Sequence, residues 1–162
     1  MRSIWQSVDN LSAGAEWLRA RRYGVIETVS GRFSKVRLRP YPALATWADV
    51  IWFGRWYHDR ADGDRCWLYY NQPWGHERYL ALKYVVSTRR CTLKTFRTAV
   101  KVLDEIARLK GTDAVLTDAA SSRISDRLLA RWGWEAHLPS AWHRHFIKRF
   151  YGSYPPPLAV EC

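Results

Sequence analysis

The chain is poor in the residues that would cross-link it or anchor it in a bilayer. Only three cysteines, Cys66, Cys91 and Cys162, occur in 162 residues, and an odd, widely spaced set yields neither a disulfide framework nor a zinc knuckle. No run of about 18 apolar residues is present, which excludes a transmembrane helix. The opening residues, Met1-Arg2-Ser3-Ile4-Trp5-Gln6-Ser7, turn polar before an apolar core of signal-peptide length is reached, so no secretory signal is expected and a cytoplasmic location is the default. Repeats and low-complexity segments are missing as well. A single domain over residues 1–152 is therefore expected, with residues 153–162, carrying Pro155-Pro156-Pro157, as an irregular tail.

Aromatic rings and positive charge, in contrast, are abundant. Ten tryptophans imply a core rich in ring packing or a surface for flat or apolar groups, with the core as the default for any one of them. A net charge of +11, from 26 Lys+Arg against 15 Asp+Glu, raises the local concentration of anions: nucleic acid, an acidic membrane face or a phosphorylated cofactor. Charge alone does not choose among these.

Hydropathy patterning gives the order of elements. Residues 13–22 read as a short basic helix, and 23–29 with 33–39 as a hairpin around Ser30-Gly31-Arg32. Val36 and Leu38 alternate with basic residues there and leave one wet face. Pro40 and Pro42 end that hairpin. Residues 49–57 and 65–70 read as a second hairpin, with an Asp-Gly turn between them. The nearly continuous apolar run 79–86 suits a central strand. From Thr92 to Lys110, Leu93, Phe96, Val100, Leu103 and Ile106 recur at helical spacing, and Gly111 is the C-cap. A short strand over 112–118 precedes Ser121-Ser122, read as the N-cap of a helix over 123–132 with Ile124, Leu128 and Trp132 inward. Return strands follow at 134–137 and 142–150. The fold class is α/β, a mixed, mostly antiparallel central sheet flanked by helices.

From residue 79 to 150 this order, with Gly111 ahead of Val115-Leu116 and the closing stretch Leu128-Leu129-Ala130-Arg131-Trp132-Gly133-Trp134-Glu135, resembles the acyl-coenzyme A half of a GNAT-type N-acetyltransferase. The resemblance implies a GNAT-like fold, acetyl-CoA or another acyl-CoA as cofactor, and transfer to an amine on a small molecule or a protein. It carries the cofactor site onto Val85, Val86, Ser87, Arg89, Arg90, Thr92 and Lys94. The strand end 85–87 polarises the thioester, while the loop and helix start meet the pyrophosphate. In the family that loop reads arginine or glutamine, two spacers, glycine, a spacer, then glycine or alanine, so that backbone N–H groups approach the phosphates. The matching stretch here, Ser87-Thr88-Arg89-Arg90-Cys91-Thr92-Leu93-Lys94-Thr95-Phe96, has no glycine. Arg89, Arg90, Lys94 and Arg97 compensate by charge in this reading; the alternative is a solvated basic face.

Catalytic residues are not singled out. Leu129 stands where many members place the tyrosine that protonates the departing thiolate. Tyr84, His76, His137 and Tyr151 remain as acids, and Glu27, Asp118 and Glu135 as bases. A second functional reading is a non-catalytic GNAT-like scaffold whose basic, aromatic surface binds nucleic acid or an acidic partner. Arg123, Arg127 and Arg131, spaced by four, support it, as do Arg144, Lys148 and Arg149. His143 and His145 share a strand face but lack a third ligand, so no metal is expected. Cys66, in an aromatic run, reads as a small buried residue. Cys91, beside two arginines ahead of a helix, sits where thiol pKa values fall, yet no fixed partner is visible and it reads as a spacer.

Overall fold

The computed structural model describes residues 6–40, 63–118, 125–137 and 145–158. In chain order these form β1 (Gln6–Val8), α1 (Ala15–Ala20), β2 (Tyr23–Val29), β3 (Arg32–Arg39), β4 (Arg65–Asn71) and β5 (Tyr79–Ser87). Then come α2 (Leu93–Lys110), β6 (Ala114–Asp118), α3 (Asp126–Arg131), β7 (Glu135–Ala136) and β8 (His145–Arg149). The described strands make one sheet in the order β1-β3-β2-β4-β5-β6-β8-β7. Among the described strands only β5 and β6 pair in parallel, because α2 joins them as a crossover.

Ser30 and Gly31 explain the β2–β3 hairpin. Both have positive φ, 50° and 77°, the backbone that a tight two-residue turn requires. β3 ends at Arg39, ahead of Pro40. The strand expected at 49–57 lies outside the described residues, and β4 takes β2 and β5 as its partners. The short β1, which patterning did not reveal, pairs with β3.

α2 packs on the sheet face that carries Thr28, whose hydroxyl donates to the Thr95 carbonyl at 3.0 Å. On that face Ile26, Val36, Leu38, Leu68, Leu80 and Val115 are buried against Val100, Leu103 and Ile106 of the helix. Each such side chain stabilises the fold by about 1.5–3 kcal/mol. The helix has the expected bounds. Thr92 is its N-cap, accepting from the Thr95 N–H, and Gly111 closes it in the left-handed conformation at φ 66°. Just ahead of the cap, the Lys110 ammonium donates to Arg19 O (3.2 Å), Arg21 O (2.7 Å) and the Gln72 amide oxygen (3.1 Å). Burial, helped by the Arg22 charge, pushes the Lys110 pKa down to about 8.

Several side chains depart from their expected places. Ser125, not the serine pair at 121–122, caps α3, accepting from Leu128 N–H at 3.2 Å. Leu129 is its buried residue, with Leu128 and Trp132 half-buried; Ile124 and the serine pair lie outside the described residues. Among the five described tryptophans only Trp134 is buried, while Trp17 and Trp74 are 51% and 73% exposed. In the tail, the Tyr154 hydroxyl donates to Thr112 O at 2.8 Å, and Leu158 packs on the core.

Lys148 corrects the basic-surface reading most directly. Its register opposite Val115 turns it toward α2, where its ammonium meets Asp104 Oδ2 at 2.6 Å, both groups buried. Burial raises the Asp104 pKa against the pull of that ammonium. Removing one partner of such a pair strands the other charge. Lys148→Met is therefore expected to cost about 3–5 kcal/mol in urea unfolding, and adding Asp104→Leu should restore most of the loss.

Candidate functional site

A strand that runs on past the described end of its parallel neighbour marks the site. β5 pairs with β6 from Tyr79↔Ala114 to Leu82↔Thr117, and its register with β4 continues to Cys66↔Ser87. Between Tyr69↔Tyr84 and Tyr70↔Leu82 the residue Lys83 is skipped. An extra residue of this kind bends its strand, and it follows directly on the last pair with β6. The bent end of β5 thus lies at the end of the sheet where α2 begins.

The loop from β5 to α2 is fastened to the start of β4. Thr88 is buried; its N–H donates to Arg65 O at 3.0 Å, and its hydroxyl accepts from Arg65 N–H at 3.0 Å. Cys91 N–H closes the turn on Thr88 O at 3.1 Å. Next, the Asp64 carboxylate takes the Thr92 N–H at 2.8 Å through Oδ1 and the Thr92 hydroxyl at 2.9 Å through Oδ2. Burial works to raise the Asp64 pKa, but hydrogen bonds from Thr95 and from the N–H and hydroxyl of Thr92 hold it below the usual carboxylate value. A carboxylate at a helix N-terminus also complements the helix dipole.

The β2–β3 turn is drawn to the same point. Thr95 Oγ1 accepts the Gly31 N–H at 2.7 Å, and Thr98 Oγ1 donates to Gly31 O at 2.9 Å. A Cβ at Gly31 would come within 2.9 Å of Lys94 Cδ, so the Lys94 stem lies over this turn.

The residues expected to hold the cofactor fall into two groups. Arg89, Arg90 and Lys94 are exposed around the helix start. Val85 packs partly into the core, Val86 lies opposite Trp67 in the register with β4, and Ser87 ends β5. Thr92 has its N–H and hydroxyl engaged by Asp64. Arg97 lies over the Trp132 ring at 6.0 Å. Sequence reading missed Asp64, since no local pattern ties a loop aspartate to a cap 28 residues away.

Candidate acids and bases are dispersed. Leu129 belongs to the core. Tyr84 stacks on Tyr69 with ring centroids 4.4 Å apart. His76 is exposed ahead of Tyr79, at the end of β5 far from the start of α2, and Tyr151 is 72% exposed. His137 follows β7, its N–H on His145 O at 2.8 Å. Glu27 is buried in β2 with Arg37 at 3.4 Å and Lys35 at 3.9 Å. Glu135 is paired with Arg149, which removes that arginine from a free basic stripe. The side chain of Asp118, and Arg123, His143 and Arg144, lie outside the described residues. Another cleft, of about 180 Å³, is lined by Arg21, Arg22, Arg39, Pro40 and Trp74. There the Arg22 guanidinium stacks on Trp74 at 3.7 Å and pairs with Glu77 at 2.9 Å.

The Asp64 anchor predicts a pH dependence. A carboxylate whose folded-state pKa is depressed contributes stability that is fully present above its unfolded pKa and is lost as pH falls through the folded value. Asp64→Asn should lower stability at neutral pH and flatten the acid limb of its pH profile, measured by urea unfolding. Thr92→Ala, which removes the cap, should cost about 1 kcal/mol.

No protein-family model matches the sequence, and no curated protein matches it. Among solved structures the chain is similar to a protein of the GNAT family from Desulfovibrio desulfuricans, described as an acetyltransferase. Identity is 16% over 53% of this chain and 60% of that one, with a TM-score of 0.43. It is also similar to nourseothricin acetyltransferase, at 14% identity over 91% of this chain and 99% of that one, with a TM-score of 0.44. The chain thus spans 60% of the length of the Desulfovibrio protein. The topology has the order that the resemblance implies: antiparallel strands lead to a central strand with a parallel neighbour beside a helix N-terminus, and a further strand and helix follow.

Proposed function

We propose that the chain is an acyl-CoA-dependent N-acyltransferase, with the coenzyme along the bent end of β5 and its pyrophosphate at the start of α2. The observation that supports this reading is the bulge at Lys83, which follows the last β5–β6 pair and bends β5 at the same end of the sheet as the α2 N-terminus. Acetyl-CoA or another acyl-CoA would supply an activated thioester carbonyl there. The backbone of 85–87 would orient and polarise that carbonyl.

The residues present fit an anionic group by charge more than by a cradle of main-chain amides. Arg89, Arg90 and Lys94 bring three exposed cations to the helix start, and cation-to-phosphate hydrogen bonds are among the stronger ones. The amides of Leu93 and Lys94 precede the first intrahelical bond, Phe96 N–H to Thr92 O at 3.2 Å. Thr92 acts in this reading through its cap, holding those amides in line, because its own donors are on Asp64. Without glycine in the loop, the side chains of 89–92 keep a pyrophosphate further from the backbone, and charge makes up the difference. Direct transfer asks chiefly for an ordered amine and a polarised thioester, so a dedicated base is not essential. The acceptor is an amine on a small molecule or a protein.

Thermal unfolding of the full chain tests this. Acetyl-CoA should raise the midpoint, by a stabilisation of about 2.7 kcal/mol at a hundredfold excess over Kd, and Arg89→Ala with Arg90→Ala should abolish most of the shift. No shift with saturating acetyl-CoA, together with a salt-sensitive shift from a short oligonucleotide, would replace this reading with the nucleic-acid scaffold.

A further inference from the structure

We propose that Cys66 and Cys91 form a dithiol that hydroperoxides oxidise to an intramolecular disulfide. Cys66 is the second residue of β4 and has no exposed surface. Cys91 is half-buried in the turn before α2 and packs against the core cluster that contains Cys66. The bonds from Thr88 to Arg65 and from Thr92 to Asp64 hold this turn, on both sides of Cys91, against the two residues preceding Cys66; the Cys91 thiol donates to Thr92 O at 3.6 Å, and each of the two thiols shifts the titration of the other. Both are free.

The pair divides the chemistry unequally. The nearby Cys66 thiol lowers the Cys91 pKa, with burial and the Asp64 charge opposing it. That same contact, then burial, pushes the Cys66 pKa up. Cys91, the more accessible sulfur and the one whose pKa is lowered, is therefore the attacking thiol, reacting through its thiolate form, and Cys66 is the resolving thiol. In the first step Cys91 sulfur attacks one peroxide oxygen. The O–O bond breaks, and the departing oxygen leaves as water or alcohol after taking a proton. Cys91 becomes a sulfenic acid, oxidised by two electrons. Its negative charge is then gone, and with it the main contribution that kept the Cys66 proton in place. In the second step Cys66 sulfur attacks Cys91 sulfur; the S–S bond forms, the S–O bond breaks, and hydroxide leaves as water with the Cys66 proton. Two thiols and one hydroperoxide thus yield a disulfide, one water from the sulfenic oxygen and the reduced peroxide product. The oxidant meets Cys91 alone, because Cys66 has no exposed surface.

The test is peptide mapping of the full chain. Reduced protein is treated with equimolar hydrogen peroxide, alkylated, and cut with trypsin without reductant. The expected product is peptide 66–78 joined to peptide 91–94, separated again by reduction. A Cys66→Ala chain should stop at the Cys91 sulfenic acid, trapped by dimedone. Recovery of both peptides singly alkylated from the peroxide-treated native chain, or Cys91 joined to Cys162 or to a second chain, would overturn the proposal; neither result depends on the variant folding or on the chain binding an acyl-CoA.

Discussion

A single carboxylate, Asp64, joins the start of β4 to the start of α2, and this end of the sheet is organised around it. Through its side chain it holds the cap residue Thr92, and through its backbone carbonyl it takes the Ser30 N–H at 2.8 Å. Thr95 carries the connection onward to Gly31 and Thr28. Two strands, a hairpin turn and a helix are thereby fixed to one another by short polar side chains with little rotamer entropy to lose. An anionic ligand approaching the same helix terminus meets a position that the chain has partly filled from within.

α2 is also held at two further points along its length. Asp104 meets Lys148 on β8, and Lys110 at the C-terminal end bridges two carbonyls at the close of α1 and the Gln72 side chain. Apolar packing alone tolerates rotation and sliding of a helix on a sheet. Polar contacts at the start, middle and end do not, since each displaced group would be left without its partner in a poorly solvated setting. A buried ion pair adds less to net stability than to the choice of one arrangement.

Local chemistry was readable in the sequence, and long-range pairing was not. The bounds of α2, its Gly111 cap, the Ser30-Gly31 hairpin and the central strand at 79–86 all follow from periodicity and turn preferences acting over a few residues. Asp64, 28 positions from the cap it serves, carried no such signal. Lys148 looked like a surface cation because its neighbours His145 and Arg149 are polar, and only the register with Val115 turns it inward. The bulge at Lys83 was equally hidden, since an extra residue in a strand is defined by its partner and not by its own identity. Of the candidate site, the exposed cations 89, 90 and 94 were legible as charge. That Thr92 is already engaged was not.

The ion pair between α2 and β8 also bears on how the sheet can open. Terminal segments commonly fray ahead of the rest of a domain. Detaching β8 from β6 would take Lys148 away from Asp104 and leave a buried carboxylate without its partner. The last described strand is therefore bound to the fate of the central helix, and the two open together.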